Sequence, residues 1–348
     1  MRFVKKTGYM FVALILLFSA SNSVYGYEYR YEARLAVMQF YADTSLVEGP
    51  VLSSKELYEQ LLDDSNSVAI TEIIDTYRSG DLELTRNKWH TYFKNKEYAT
   101  ELRTELQLVK SASELTREDV DWDMADRGLS RGHEYNDYAY SFTDEIDWTY
   151  NPTYSDPELQ TDHGWTWSLN AHEWWVEMAK AAAVSGNAAY AEELAYQMKS
   201  WITTQVPGTP SVGQEFHDQH KRYVQYSHSL HSDILDDGSD VFEYELTGPD
   251  GTSLTGMSAS WRTLETGIRL REWLKTLYYF RESPSFDPEL CELVTRSLID
   301  QATWLAIPHH FSEGQEWEED ETSGLRSALA FFPELMLSEE MIYAVEQR

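Results

Sequence analysis

The segment HGWTWSLNAHEWW, His163 to Trp175, combines four indole rings with an amide and two imidazoles. Sugars suit such a surface, because their C–H faces stack on indoles while amides and imidazoles bond their hydroxyl groups. On a single helix, Trp167, Asn170 and Trp174 would form a stripe at three- to four-residue spacing. A core face could have the same pattern, but a buried Asn170 would then need hydrogen-bond partners. The segment predicts a sugar-binding surface that includes Trp167, Asn170 and His172.

A second candidate group is cationic and lies in SWRTLETGIRLREWL, Ser260 to Leu274. Arg262 and Arg269 are nearly two helical turns apart and could together bind a carboxylate or a sulfate. The alternative is an internal ion pair between one of these arginines and Glu265. The sequence leaves both interpretations open, and we include Arg262 and Arg269 among the substrate-binding candidates.

The polar loop PHHFSEGQEWEEDETSG, Pro308 to Gly324, supplies further imidazole and amide groups, in His309, His310 and Gln315. Its run of acidic residues is typical of a solvated helix face. The whole sequence lacks the Walker loop, the dinucleotide fingerprint, the nucleophile elbow and the zinc-protease HExxH motif. The function classes that depend on these motifs are therefore disfavoured.

Four histidines in HDQHKRYVQYSHSLHSD form two H-x-x-H pairs, a spacing that can hold zinc when the geometry closes. They are His217, His220, His228 and His231. The segment has neither a supporting cysteine nor a clear helical pattern. We therefore predict no metal ligands and no cofactor, although the sequence alone leaves a metal at these four histidines open.

The first 26 residues predict a secretory signal peptide. A short basic region precedes the apolar run YMFVALILLFSA, and small residues end at a cleavage position after Gly26. The apolar run is too short for a confident membrane span, so no membrane anchor is expected after cleavage. We expect a periplasmic or secreted protein, and Cys291, as the only cysteine, allows no intramolecular disulfide.

The chain is strongly acidic, with 28 basic and 59 acidic residues and a formal charge of −31. Three basic residues lie in the signal peptide, so the mature chain would carry −34. Such a surface repels nucleic acid and anionic membranes. An anionic ligand would therefore depend on a local basic pocket.

The elements that must position these groups are mainly helical. We predict one mainly α domain over residues 27–348, an incomplete (α/α) toroid of paired helices with a polar insertion. Its parts are a helical region (27–119), an aromatic connection (120–164) and a main helical array (165–348) with the insertion at 207–257. Long helices are expected at 165–185, 188–204, 260–280, 288–306 and 321–335.

Several segments resemble, in order, the N-terminal α/α-toroid domain of heparinase II/III-type polysaccharide lyases. They include the tryptophan-rich pair WTWSLNAHEWWVEMAKAAAVSGNAAYAEELAYQMKSWI, the helix WRTLETGIRLREWL and the segment SGLRSALAFFPEL. The resemblance covers about residues 68–336. It implies cofactor-independent β-elimination on a uronate-containing anionic polysaccharide, heparin- or heparan-sulfate-like or alginate-like.

The resemblance also indicates catalytic positions. Family members have Gly-Asn-His or Asn-Asn-His shortly before the F-P-E helix, and the Asn neutralises the uronate carboxylate. Here the position holds Gly314-Gln315-Glu316, so Gln315 is the matching amide and His310 is a nearby imidazole. The family's catalytic tyrosine lies beyond the position matching Arg348. We therefore expect either a fragment of a longer lyase or a shortened relative.

Two other functions stay open from the sequence. A non-catalytic saccharide-binding module would account for Glu316 in place of the family's histidine. An inverting glycoside hydrolase would need two carboxylates about 6.5–9.5 Å apart. Its candidates would be Glu173, Glu177 and Glu265, and their spacing singles out no pair.

Overall fold

The computed structural model describes residue 50 and residues 52–62, 67–155, 162, 164–205, 222–227, 240–245, 260–306 and 318–335. The predicted signal peptide and most of the insertion at 207–257 lie outside these ranges. No helix within them is both long enough and apolar enough to cross a membrane.

The described ranges contain ten helices of six or more residues. They are α1 (Val68–Arg78), α2 (Leu82–Asn95), α3 (Thr100–Glu105), α4 (Trp122–Leu129), α5 (Gly164–Leu169), α6 (Trp174–Ser185), α7 (Ala188–Thr204), α8 (Thr263–Phe280), α9 (Pro288–Leu305) and α10 (Glu318–Phe331). Single helical turns occur at Ser54–Glu56 and Pro152–Ser155, with a π-helical turn at Leu57–Leu61.

Two antiparallel strand pairs accompany the helices. Strands β1 (Gly132–Tyr135) and β2 (Tyr138–Ser141) form a tight hairpin within the aromatic connection. Strands β3 (Arg222–Ser227) and β4 (Asp240–Glu245) pair within the insertion. The first hairpin was not expected from the sequence, because its four-residue strands are too short to show a clear alternation.

Local sequence signals set many helix starts. The side chains of Ser67, Asp81, Asp121, Asn187 and Asp287 each accept a hydrogen bond from a main-chain N–H in the first turn that follows. These caps satisfy N–H groups that have no partner inside the helix. They explain why α7 and α9 begin where the sequence predicts.

The helices pack as two layers of paired elements. Helices α6, α8 and α10 lie side by side in one layer, with α3 against α10. Helices α7, α9 and α2 form the other layer, with α1 beside α2. One continuous apolar core fills the space between them and includes six tryptophans with almost no exposed surface. This arrangement confirms the mainly α class with paired helices.

The chain before α1 is fixed to α9 through a buried carboxylate. Glu292 accepts hydrogen bonds from Ser54 Oγ at 2.5 Å, Tyr58 Oη at 3.2 Å and Arg86 Nε at 2.9 Å. About two turns further along α9, Asp300 accepts from the main-chain N–H of Leu52. A buried carboxylate is tolerated here because several donors satisfy it.

The predicted helix at 165–185 is wrong in one respect, because the structure divides it. Helix α5 ends at Leu169 and α6 begins at Trp174, and His172 between them has a φ of +62°. A left-handed residue cannot continue a right-handed helix. The single-helix stripe of Trp167, Asn170 and Trp174 therefore does not exist, and the three side chains point to different surroundings.

Helices α8 and α10 cross at two glycines, Gly267 and Gly324. A Cβ atom on Gly324 would lie 2.6 Å from the Cα of Gly267, and one on Gly267 would lie 2.7 Å from the Cα of Glu321. Backbone atoms cannot move aside as flexible side chains do. The close approach of the two helices therefore requires glycine at both positions.

We expect Gly324→Ala to lower the free energy of unfolding by about 2–3 kcal/mol, since the added methyl group must push two helix backbones apart. Urea denaturation measures this change. Arg326→Ala on the exposed face of α10 is the matched control and should change stability by less than about 0.5 kcal/mol. Equal stability of the two variants would contradict this account of the helix crossing.

Candidate functional site

Three tryptophans of the segment that begins at His163 belong to the core. Trp165, Trp174 and Trp175 are buried. The Trp165 indole donates to the carbonyl of Tyr138 at 2.9 Å, and those of Trp174 and Trp175 both donate to Gln197 Oε1, at 3.0 and 2.9 Å. Their N–H groups are satisfied inside the protein, so these rings hold the fold together.

Asn170 is fully buried between the two layers. Its side-chain NH2 donates to the carbonyls of Trp148 (2.8 Å) and Thr166 (2.9 Å), while its Oδ1 accepts from Trp201 Nε1 at 2.9 Å. The amide thus meets the need for partners that its burial creates. This placement favours a structural role over the direct sugar contact predicted from the sequence.

His172 is also fully buried, with its ring stacked 3.9 Å from the ring of Trp175. Its Nδ1 accepts a hydrogen bond from Trp273 Nε1 at 2.9 Å, which leaves the proton on Nε2. Burial lowers the pKa of His172 well below its usual value, and the charge of Arg269 adds to the effect. A neutral, enclosed imidazole of this kind favours positioning of the α5–α6 turn over contact with a ligand.

Arg269 lies at the centre of the same core with no exposed surface. Its Nη1 donates to the Asn170 carbonyl at 2.8 Å and its Nε to Gln301 Oε1 at 2.8 Å. The guanidinium carbon is 4.4 Å from the ring centre of Trp201. Burial lowers its pKa to about 9, so the group is still charged at neutral pH. This charge is held by neutral acceptors and by the face of an aromatic ring. Among the described residues, no carboxylate contacts the guanidinium directly.

Trp167 and Arg262 are brought together, and both are only partly buried. The guanidinium carbon of Arg262 lies 4.0 Å from the centre of the Trp167 ring, within the range of a cation–π contact. Arg262 Nη1 also donates to Glu265 Oε1 at 2.5 Å. Burial raises the pKa of Glu265, although the charge of Arg262 acts in the opposite direction. The internal ion pair left open as the alternative from the sequence is therefore present, and Arg262 also lies at a partly open aromatic surface. Arg269, which has no exposed surface, does not share that surface with Arg262. We call Trp167, Arg262 and Glu265 the cationic platform.

Unsatisfied polar atoms accumulate beside the cationic platform. Ser260 Oγ, Trp261 Nε1 and Glu265 Oε2 are buried yet have no hydrogen-bond partner in the described part of the chain. Such atoms are uncommon in native interiors and often mark a water, an ion or a functional group. Ser260 and Trp261 were not among the site residues predicted from the sequence. Both lie immediately before Arg262, and Trp261 is the first residue of the motif WRTLETGIRLREWL.

Several helix ends meet around this platform. Trp261, just before α8, lies 5.8 Å from the ring of Trp201 near the end of α7, and its carbonyl accepts from Trp304 Nε1 at 2.8 Å near the end of α9. Gly267 in the first turns of α8 contacts Glu321 in the first turn of α10. The ends of α7 and α9 and the starts of α8 and α10 therefore share one end of the helical array.

The remaining sequence candidates lie outside the described residues. These are Gln315, His309 and His310, together with the four histidines at 217, 220, 228 and 231. Within the described ranges, no group of three or more His, Cys, Asp or Glu residues is arranged to hold a metal ion. The described residues that flank Gln315 are Ala306 and Glu318, at the same end of the array as the cationic platform.

Comparison with known proteins decides the family. The family description "Heparinase II/III N-terminus" matches residues 60–344, most of the chain. The chain belongs to this family. The resemblance inferred from the ordered motifs is thereby confirmed.

Curated relatives of this heparinase II/III chain are named heparin-sulfate lyases. The protein from Bacteroides stercoris is 29% identical over 171 residues, which cover 48% of this chain and 20% of that protein. The protein from Bacteroides thetaiotaomicron is 21% identical over 281 residues, 79% of this chain and 33% of that protein. This chain therefore spans about a third or less of the curated relatives it matches.

Solved structures support the fold. A heparinase III structure aligns with a TM-score of 0.58 at 20% identity, covering 85% of this chain and 40% of that one. A heparan sulfate lyase mutant from Pedobacter heparinus aligns with a TM-score of 0.54 at 16% identity, covering 84% and 38%. The mainly helical structure of this chain matches the helical toroid of these neighbours. At such identities the likeness shows the fold alone.

The enclosed imidazoles predict how the stability of this heparinase II/III chain depends on pH. Burial lowers the pKa of His133 to about 4, whereas a histidine in the unfolded chain titrates near 6.5. The unfolded chain therefore takes up protons first, and the free energy of unfolding falls as the pH drops from about 6.5 to 4. His172, whose pKa is lowered still more clearly, adds to the loss.

Between pH 7 and pH 5 the free energy of unfolding should fall by about 2 kcal/mol less in His133→Phe than in the unchanged protein. Urea unfolding of both proteins at the two pH values measures the difference. Carboxylates and the other histidines contribute equally to both proteins, so the comparison isolates His133. An identical pH dependence would show that His133 takes up its proton as readily in the folded state as in the unfolded chain.

Proposed function

We propose that this chain binds a uronate-containing anionic polysaccharide, of the heparin/heparan-sulfate or alginate kind, and contributes to its β-eliminative cleavage. The cationic platform is the single observation that carries the proposal. A partly open indole can stack on a sugar ring, and a guanidinium above it can bond a carboxylate or sulfate. The names of the curated relatives add support from outside this chain. The N-terminal sequence further supports action outside the cytoplasm, in the periplasm or after secretion.

The chemistry follows from the acidity of the uronate. Neutralising its carboxylate acidifies the C5 proton, which a base removes. The C5–H and C4–O bonds break, a C4–C5 double bond forms, and an acid protonates the leaving 4-oxygen. We propose Gln315 as the group that neutralises the carboxylate and His310 as a proton-transfer group. The support for Gln315 is its match to the family pattern in sequence, and the support for His310 is that it is an imidazole close to Gln315 in the sequence.

Cleavage is tested by incubating the protein with heparan sulfate, alginate or ulvan and following the ultraviolet absorbance of the unsaturated uronate product. Absorbance that rises with time on one polymer supports the proposal. Glu316, which replaces the family's histidine, favours a second candidate, a non-catalytic saccharide-binding module. Binding without any rise in absorbance on all three polymers would support that module and remove the cleavage step. No binding and no cleavage would remove the proposed function.

We expect Arg262→Ala to weaken binding of the anionic polymer about tenfold, because one charge-assisted hydrogen bond is lost. Binding should also depend less steeply on salt. Titration calorimetry at two salt concentrations measures both effects. Arg117→Ala is the matched control, because Arg117 stacks on Trp122 with a separation of 4.4 Å in a similar geometry. Trp122 contacts Tyr190 at the start of α7, the opposite end from the cationic platform.

A second substitution separates stacking from charge. Trp167→Ala should weaken binding of charged and neutral sugars alike, by about 1–2 kcal/mol, with the salt dependence nearly unchanged. Trp122→Ala should leave binding unaltered. Weaker binding in both tryptophan variants would mean that general loss of stability, and not the platform, accounts for the effect.

A further inference from the structure

The Arg262 guanidinium is shared between an aromatic face and an internal carboxylate. It lies over the Trp167 ring and donates to Glu265 Oε1 at 2.5 Å. An acidic sugar stacked on Trp167 would present its carboxylate to the same guanidinium. The Glu265 carboxylate is the same functional group as the carboxylate of an acidic sugar, and it already accepts a hydrogen bond from Arg262.

Burial of the Glu265 carboxylate has a high desolvation cost. Its side chain is 7% exposed, and only Oε1 has a hydrogen-bond donor, whereas Oε2 has none among the described residues. The next charge along the helix, Arg269, donates to neutral acceptors at Asn170, Gln301 and Thr266 and not to Glu265. A carboxylate removed from water with one donor recovers little of its desolvation cost. The single hydrogen bond to Arg262 therefore offsets little of this cost, and Glu265 contributes little to the stability of the fold.

We propose that Glu265 is an internal competitor for acidic sugars at Arg262 and so sets the affinity and the release of a charged ligand. The inference rests on the proposed function, because it concerns the same cationic platform. In the free protein the Glu265 carboxylate occupies Arg262. A bound uronate must share the guanidinium with Glu265, and Glu265 regains it as the acidic ligand leaves.

This arrangement predicts a gain of binding on removal of an acidic residue. Glu265→Gln keeps the shape of the side chain and an oxygen that can accept from Arg262, but removes the competing charge. A heparan sulfate or alginate hexasaccharide should bind about three- to tenfold more tightly, mostly through slower dissociation. A neutral hexasaccharide such as cellohexaose, which can only stack, should be unaffected. A purely structural Glu265 would give weaker binding of all three.

Surface plasmon resonance of the full chain with these three hexasaccharides is the test. Glu272→Gln is the matched control. Glu272 lies on the same helix about 10 Å away along the axis and pairs with Lys275 at 2.6 Å. The Glu272→Gln variant changes the net charge by the same amount as Glu265→Gln and should leave the affinity for all three hexasaccharides unchanged. In an Arg262→Gln background the gain from Glu265→Gln should disappear, because there is no longer a guanidinium to compete for.

The outcomes separate this inference from the function on which it rests. Should the unchanged protein bind neither charged hexasaccharide, the proposed function fails. If the unchanged protein binds but a folded Glu265→Gln variant binds equally or more weakly, only the competitor role is overturned. An equal gain in Glu272→Gln would also overturn it, since general charge would then be the cause. If Glu265→Gln fails to fold, Glu265→Ala takes its place, because it also removes the competing carboxylate.

Discussion

The pairing of buried indole N–H groups with buried polar acceptors is the constraint on which the rest of the structure depends. Trp201 needs the Asn170 amide, Trp273 needs the His172 imidazole, and Trp174 and Trp175 share Gln197. Each indole excluded from water must find an acceptor, or it costs free energy comparable to a lost hydrogen bond. These acceptors fix where α5 ends and α6 begins. They also fix how the layer of α6 and α8 lies on the layer of α7.

The same core sets the charge beneath the cationic platform. Arg269 is held by the carbonyl of Asn170, by Gln301 and by the ring of Trp201, and it remains cationic at neutral pH. The Arg269 charge is thus retained inside a chain whose formal charge is −31. Water and salt screen the Arg269 charge little, because the group has no exposed surface.

Much of the fold could be predicted from periodicity and capping residues. The limits of α7 were predicted correctly, and α8 and α9 lie close to where the pattern placed them. The break at His172 could not be predicted, since the left-handed turn is imposed by the tertiary contacts of Asn170 and His172. For the candidate site, residue type alone indicated amides, imidazoles and arginines. It could not distinguish Arg269, which is enclosed, from Arg262, whose side chain is 20% exposed, because both fit one helical pattern.

Under the proposed function, the difference between these two arginines would explain how an acidic protein binds an anion without a broad basic surface. Arg269 supplies a charge that solvent and salt cannot easily screen, but it has no exposed surface with which to touch a ligand. Arg262 can touch a ligand, yet its own charge is partly cancelled by Glu265. Under the same proposal, selectivity for an acidic sugar would require that the sugar ring stack on Trp167. An anion that cannot stack on Trp167 would gain only the weaker, partly cancelled attraction, so aromatic contact and charge would have to act together.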